Sequence, residues 1–341
     1  MTLFAARRAP LPDAGGAGSA APPVADEAAT PVADEAATPV ADGAATPVAD
    51  EAAVSGVLSR ADAAGLAAQY GLVRADQAPG LVRYVRQLWQ RRAFVIELAK
   101  ARAYDKNQNN YLGQAWSALN PLLLVASYFL VFGLMLRTSK GVDNFLGFLT
   151  IGIFIFSFIA ASVTSGAKSI SGNQNLVRAI RFPRAALPLS MSLSEILTLM
   201  PALVVLLVVM PVSGEQLQLK WLLLPGAIAE LFVFCAGVGM IAARLVVWSR
   251  DMLNLIPVSV RLARYASGVF FSIAIYAGHG LISTFLQYQP IAVYLDLVRS
   301  CLLAQYPPDP ALWIAGAVWA LVVLVVGLVT FWRAEERYGR D

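Results

Sequence analysis

The sequence predicts an all-α polytopic membrane protein with six transmembrane helices, and three features of the chain point to it. Of the 341 residues 58% are hydrophobic, and the mean hydropathy is +0.62. From Trp116 onward, six apolar stretches approach or exceed the roughly 20 residues of helix that cross a hydrocarbon core about 30 Å thick. Positive charge also alternates between the segments that join them, which sets orientation.

The first 60 residues lie outside that membrane region. PVADEAAT occupies 23–30 and 31–38, followed by PVADGAAT at 39–46 and PVADEAAV at 47–54. Residues 9–59 hold eight acidic residues and no Lys or Arg. With nothing aromatic to bury, 1–60 reads as a disordered acidic Ala/Pro tail. The alternative is a tether for a basic partner. The opening MTLFAARRAPLP has no apolar core long enough for a signal peptide.

Residues 61–110 are expected to form a cytoplasmic segment with an amphipathic interface helix at 81–102, LVRYVRQLWQRRAFVIELAKAR. Leu81, Val85, Leu88, Trp89, Val95 and Leu98 fall near one side, with Arg83, Arg86, Arg91 and Arg92 interleaved. Such a helix suits the headgroup layer, its arginines meeting anionic lipid. An ordinary surface helix is the plainer reading.

The stretch QNNYLGQAWSALNPLLLV, 108–125, passes from three amides into an apolar run in little more than one helical turn. Tyr111 and Trp116 suit a membrane interface. Either Asn120 caps a helix with Pro121 in its first turn, or the helix begins near Leu112 and Pro121 kinks it. The predicted spans are 116–136, 145–164, 186–212, 221–247, 258–276 and 311–331, within a six-span domain over 111–335. A short cytoplasmic tail, 336–341, follows.

Orientation follows from the bases. Segments 83–106, 168–184, 244–264 and 333–340 carry eighteen Lys and Arg, against four (Arg137, Lys140, Lys220 and Arg299) in the alternate segments. Both termini are therefore expected in the cytoplasm, with the chain in the plasma (inner) membrane.

Several residues are costly where they sit. Glu195 and Glu230 fall within the third and fourth predicted spans, where a carboxylate is expensive and by default faces protein or water. A neutral Glu hydrogen-bonded between helices is the alternative. Arg261 and Arg264, three residues apart at the start of the fifth span, share a helical face. They are either positive-inside anchors or a cationic seat for a phosphate group. Aromatics are frequent in the spans, among them Tyr128, Phe132, Phe154, Phe158 and Phe270. Flat apolar faces of this kind can stack on sugar rings.

The loop 165–185, SGAKSISGNQNLVRAIRFPRA, is basic and too long for a tight turn. Its GAKS lacks the glycine-rich approach of a nucleotide loop, and no ATP site is found. Cys235 and Cys301 give neither a disulfide framework nor a metal spacing, and His279 is the only histidine. No catalytic residue, resident cofactor, metal or nucleic acid partner is expected. Residues 277–310 are too polar to span. Pieces at 281–288 and 291–304 look like short helices dipping back from the outer face, and non-helical backbone there must be surrounded by protein or a water-filled path.

Three stretches resemble the permease subunit of ABC-type polysaccharide exporters, the O-antigen, teichoic-acid and galactan export permeases. They are YLGQAWSALNPLLL followed by VFG at 131–133, NQNLVRAIRFPRAALPLS at 173–190, and YQPIAVYLDLVRSCLL at 288–303. The likeness spans about 81–335. It departs at AYDKNQNN before the first span, at Ser267-Gly268 where the family has Ser-Pro, and at Gln289-Pro290 where it has Asn-Pro.

The resemblance implies a homodimer of permeases with two copies of an ATP-binding cassette ATPase, which would bind ATP and Mg. Coupling to the ATPase would run through the amphipathic helix and through Asn175, Leu176, Arg178, Arg181 and Arg184. The substrate would be a polyprenyl-pyrophosphate-linked polysaccharide. Arg261 and Arg264 would take the pyrophosphate, and Tyr111, Trp116 and Phe182 would act as gate or sugar contacts. The Ala-rich composition fits a galactan exporter. Three rivals remain: an ABC-type permease for a lipid or small amphipathic drug, a membrane enzyme acting on polyprenyl-phosphate sugars, and a passive channel. The enzyme would need paired acidic residues or a general base, and the channel would leave the basic loop without a role.

Overall fold

The computed structural model describes residues 80–106, 113–135, 141–180, 182–273 and 280–335. Among these, every regular element is helical. The repeat tail, Tyr111, Arg181, His279 and the last residues, 336–341, lie outside them.

Two helices precede the membrane region, α1 (Leu81–Gln90) and α2 (Arg92–Asp105). The predicted continuous helix at 81–102 is thus divided at Arg91, whose ψ of 14° leaves helical geometry for one residue. Tyr84 is 1% exposed, whereas Val85 and Trp89 point outward, and Arg92 stacks over the Trp89 ring at 5.5 Å.

A 3-10 turn at Gly113–Ala115 leads into α3 (Trp116–Tyr128), which continues as a π-helical segment, Phe129–Met135. Pro121 lies inside α3, so of the two readings of the polar approach the one that places proline within the helix is observed. Among the described residues, four helices are long and apolar enough to cross a membrane. They are α4 (Phe145–Ala167), α6 (Ala186–Val212), α7 (Leu224–Trp248, extended back to Leu219 by a 3-10 turn) and α11 (Pro310–Arg333). Between α4 and α6 lies the six-residue α5 (Gln174–Ala179).

Caps explain several boundaries. The Asn144 side chain accepts from the Gly147 amide at 2.8 Å to start α4. The Asp309 side chain accepts from the Ala311 amide at 2.9 Å to start α11. Pro310 then occupies the first turn, where its missing N–H costs nothing.

The predicted fifth span is interrupted. Helix α8 (Met252–Ala266) ends at Ala266, and Gly268 follows with φ of +75°, the left-handed conformation that glycine supplies after a helix C-terminus. The hydropathy of 258–276 continues through that point, so the break is invisible to a hydropathy window. The short outer helices are present as α9 (Leu281–Tyr288) and α10 (Pro290–Leu302). They differ sharply in burial. Ten of the 13 residues of α10 are buried, while Ser283 alone is buried in α9.

Small residues set the helix spacing, as in membrane bundles generally. An ideal Cβ on Gly166 of α4 would stand 2.6 Å from the Gly239 Cα of α7, and one on Gly237 of α7 would stand 2.7 Å from the backbone of Val323 and Leu324 in α11. Helix α7 therefore lies between α4 and α11 with backbones almost touching. At 1.5 Å per residue, the 27 residues of α6 run about 40 Å, more than the hydrocarbon core needs. Its exposed apolar stripe is Met200, Val204, Val208 and Val212, whereas 186–195 is largely buried. The first third of α6 is sheathed in protein.

Candidate transport cleft and its basic rim

That sheath comes from α4, α7 and α2, and α2 ties the loop to it. The Phe94 and Phe182 rings lie 5.2 Å apart, the Arg102 guanidinium donates to the Asn173 side-chain oxygen, and Lys106 Nζ donates to Glu195 Oε2 at 2.7 Å. Helix α2 thus descends beside α6 from the loop to the level of Glu195. The Glu195 side chain is 9% exposed and that of Lys106 is 42% exposed. The carboxylate expected at depth in the third span is therefore ion-paired, at the boundary where the lipid-facing stripe of α6 begins.

Beside this pair opens a cleft of about 170 Å³. Trp116, Asn120 and Pro121 of α3 form one wall, Phe154, Ser157 and Phe158 of α4 a second, and Thr198 and Leu199 of α6 a third. Its lining combines apolar rings with polar side chains. A site of this kind can hold a hydroxyl-bearing ring against indole and phenyl faces while Glu195, Asn120 and Thr198 offer hydrogen-bond partners. Trp116, predicted as a sugar contact, is in it. Phe182, predicted for the same role, is not: it packs against Phe94 and the small core at the basic end.

The predicted phosphate seat stands apart from the cleft. The Arg264 guanidinium lies over the Phe156 ring at 5.0 Å, and Arg261 Nε donates back to the Pro257 carbonyl at 3.4 Å. With 3.6 residues per turn, Phe156 projects from the face of α4 opposite Phe154 and Phe158. Helix α4 therefore separates the two arginines from Trp116 and Glu195. Glu230 is in neither place. It is half-buried on α7 near Gly316, and its Oε2 has no hydrogen-bond partner among the described residues.

At the basic end, the segment expected to couple to an ATPase is built into the body. Leu176, Val177 and Phe182 pack on a core of Tyr84, Ile170, Leu187, Met240 and Phe331, while Asn175 and Arg178 are exposed. The Ala185 amide donates to the Tyr84 hydroxyl at 3.1 Å. The Arg184 amide donates to Glu335 Oε1 at 3.1 Å, and the Arg184 guanidinium donates to the Glu335 carbonyl. Elements from three distant parts of the chain, at 84, 184 and 335, meet within one hydrogen-bonded junction.

Residues 97–303 match the ABC-2 type transporter family. The chain belongs to that family. It is 24% identical over 261 residues to the O-antigen export system permease protein RfbA of Myxococcus xanthus, covering 76% of this chain and 100% of that relative. A protein of the same description from Klebsiella pneumoniae is 26% identical over 236 residues, covering 68% of this chain and 88% of its own length. These relatives are transport components rather than enzymes.

In this ABC-2 transporter the family match begins within α2 and ends just beyond α10, so it takes in the cleft, the segment 173–184, the break after α8 and the buried α10. Sequence reading missed four of the residues that assemble them: Tyr84, Lys106, Arg299 and Glu335. Tyr84 carried a signal, an aromatic with a polar tip inside a helical repeat. The partner of Lys106 is 89 residues away, and no local pattern reveals it.

Proposed function

We propose that this chain is the transmembrane subunit of an ATP-driven exporter that carries a polyprenyl-pyrophosphate-linked polysaccharide, O-antigen-like or galactan, from the cytoplasm across the plasma membrane. It works as a homodimer with two copies of an ATP-binding cassette ATPase, which bind the ATP and Mg. Both termini and the basic rim face the cytoplasm, in keeping with the bias of Lys and Arg toward that side.

The observation that carries this reading is the junction of α1, the α5 segment and the end of α11, in a chain of the ABC-2 family. A transporter without its own nucleotide site needs a surface that receives force. Exposed Asn175 and Arg178 offer that surface, with Arg181 expected to join them. The hydrogen bonds among Tyr84, Ala185, Arg184 and Glu335 make the rim move as a body. A displacement of the rim would shift α2 along α6 and reshape the cleft beneath Lys106 and Glu195. The exposed basic face of α1, with Arg83, Arg86 and Trp89, suits the anionic headgroup layer. Arg261 and Arg264 supply cations for the pyrophosphate, while Trp116, and by expectation Tyr111, contact sugar.

The test is depletion and copurification. On depletion, lipid-linked glycan should accumulate on the cytoplasmic side, and an ATP-hydrolysing subunit should leave the membrane with this chain in equal amount. Transport by the chain alone in liposomes would overturn the proposal.

A further inference from the structure

Arg299 heads the largest fully buried side chains, at 2% exposure, and neither the cleft nor the basic rim uses it. Its Nη1 lies 3.0 Å from Asp296 Oδ1. Its Nη2 donates to the carbonyls of Gly268 at 2.9 Å and Val269 at 3.3 Å. The guanidinium carbon stands 3.4 Å from the centroid of the Phe148 ring. Both carbonyls belong to the break that ends α8. These two carbonyls lie just past Ala266, the last residue of α8, in non-helical backbone that has no intrahelical partner, close to the partial negative charge of the helix C-terminus. In a membrane interior no water is at hand to satisfy them. Arg299 does so with a positive charge.

The surroundings are shaped for this contact. Gly152 lies one turn from Phe148 on α4, and an ideal Cβ there would stand 2.8 Å from the Val269 oxygen and 3.1 Å from Arg299 Nη2. A side chain larger than hydrogen would separate carbonyl from guanidinium. Gln289, just before α10, donates to the Ala266 carbonyl at 2.8 Å. The other end of α10 is fixed to the body: Lys220 Nζ donates to the carbonyls of Leu303 and Tyr306, and the Ala304 amide donates to Glu215. Helix α10 is thus a buried, anchored strut, and α8 ends on it.

We infer that Arg299 is a positioning residue for transport: it anchors the interior end of the half-span α8 to α10 and so fixes where Arg261 and Arg264 stand. Arg264 is one helical turn before Gly268, so loss of the anchor changes both the depth and the rotation of the arginines. The transport role rests on the proposed function; the anchoring role does not.

The experiment uses the full permease–ATPase complex with Arg299→Met, Arg299→Lys and Gly152→Ala. The first readout is maleimide labelling of Ser267→Cys, in a chain whose Cys235 and Cys301 are changed to Ala. Ser267 is 1% exposed. Losing two bonds from a charged donor should speed labelling at least about tenfold in Arg299→Met. Arg299→Lys should give a smaller increase. Gly152→Ala should also raise the rate, with every charge retained, and it decides the question if Arg299→Met does not accumulate. The second readout is glycan exported per ATP hydrolysed, which should fall about tenfold or more in Arg299→Met while hydrolysis per complex persists. Ser267→Cys that stays protected in these variants overturns the anchor. Export and hydrolysis that decline in equal proportion overturn the positioning role. If the unaltered complex exports no glycan, the proposed function fails, and the labelling result still judges Arg299.

Discussion

Replacing Lys106 by Met removes the cationic partner of Glu195 and leaves a nearly buried carboxylate beside the cleft. Breaking a fully buried pair from one side costs about 3–5 kcal/mol. The Lys106 side chain is 42% exposed, so water already screens the pair, and the expected cost falls to about 1–3 kcal/mol. At about 2–4 °C of Tm per kcal/mol, this gives a fall of about 2–12 °C by thermal unfolding of the purified complex. Glu195→Gln keeps the shape and removes the charge, so Lys106→Met with Glu195→Gln should return to within about 1 kcal/mol of the parent. A double variant as unstable as Lys106→Met alone refutes the reasoning, because the stranded carboxylate would then not be the cause.

Gly237→Ala should force α7 from α11, since its new methyl group meets backbone at 2.7 Å; overpacking of this kind costs about 1–3 kcal/mol, read as a lower Tm for the complex. Glu335 provides a pH test. Burial raises its pKa above the ordinary carboxylate value, against the opposing pull of the Tyr84 hydroxyl, the Arg184 amide and the Arg184 charge. The contribution of a group raised in this way is complete below the ordinary value and is lost as pH climbs through the raised one. Protection of the Ala185 amide against hydrogen exchange, corrected for intrinsic rate, should therefore weaken as pH rises above the ordinary carboxylate value, and Glu335→Gln should abolish that dependence.

Hydropathy and charge reveal much of this fold because the bilayer imposes them. The bounds of α6 follow directly from an apolar run, and α9 and α10 are legible as polar segments with helical spacing. The interruption of the predicted fifth span is not, because the apolar Val269, Phe270 and Phe271 directly after Ser267 and Gly268 carry the predicted span through that point. Conformation at one glycine, rather than composition, ends the helix. Glu195 was legible as costly, but its compensation was not: Lys106 lies beyond a predicted interface helix and reaches α6 only because α2 descends beside it. Arg299 looks like an ordinary outer-loop charge in sequence. It is instead enclosed among Phe148, Gly152 and the end of α8, contacts that bring residues up to about 150 positions apart together. The cleft likewise draws on three helices; sequence singled out Trp116, Glu195, Phe154 and Phe158 of its lining, but did not show that they meet.

The meeting of Tyr84, Arg184 and Glu335 has a consequence for how the molecule is handled. A fusion joined immediately after Glu335 would load the same knot that grips the front of the chain, so a tag at the back could disturb behaviour at the front. Spacer length at that junction is therefore a mechanical variable, and a graded series of spacers would measure how stiff the knot is.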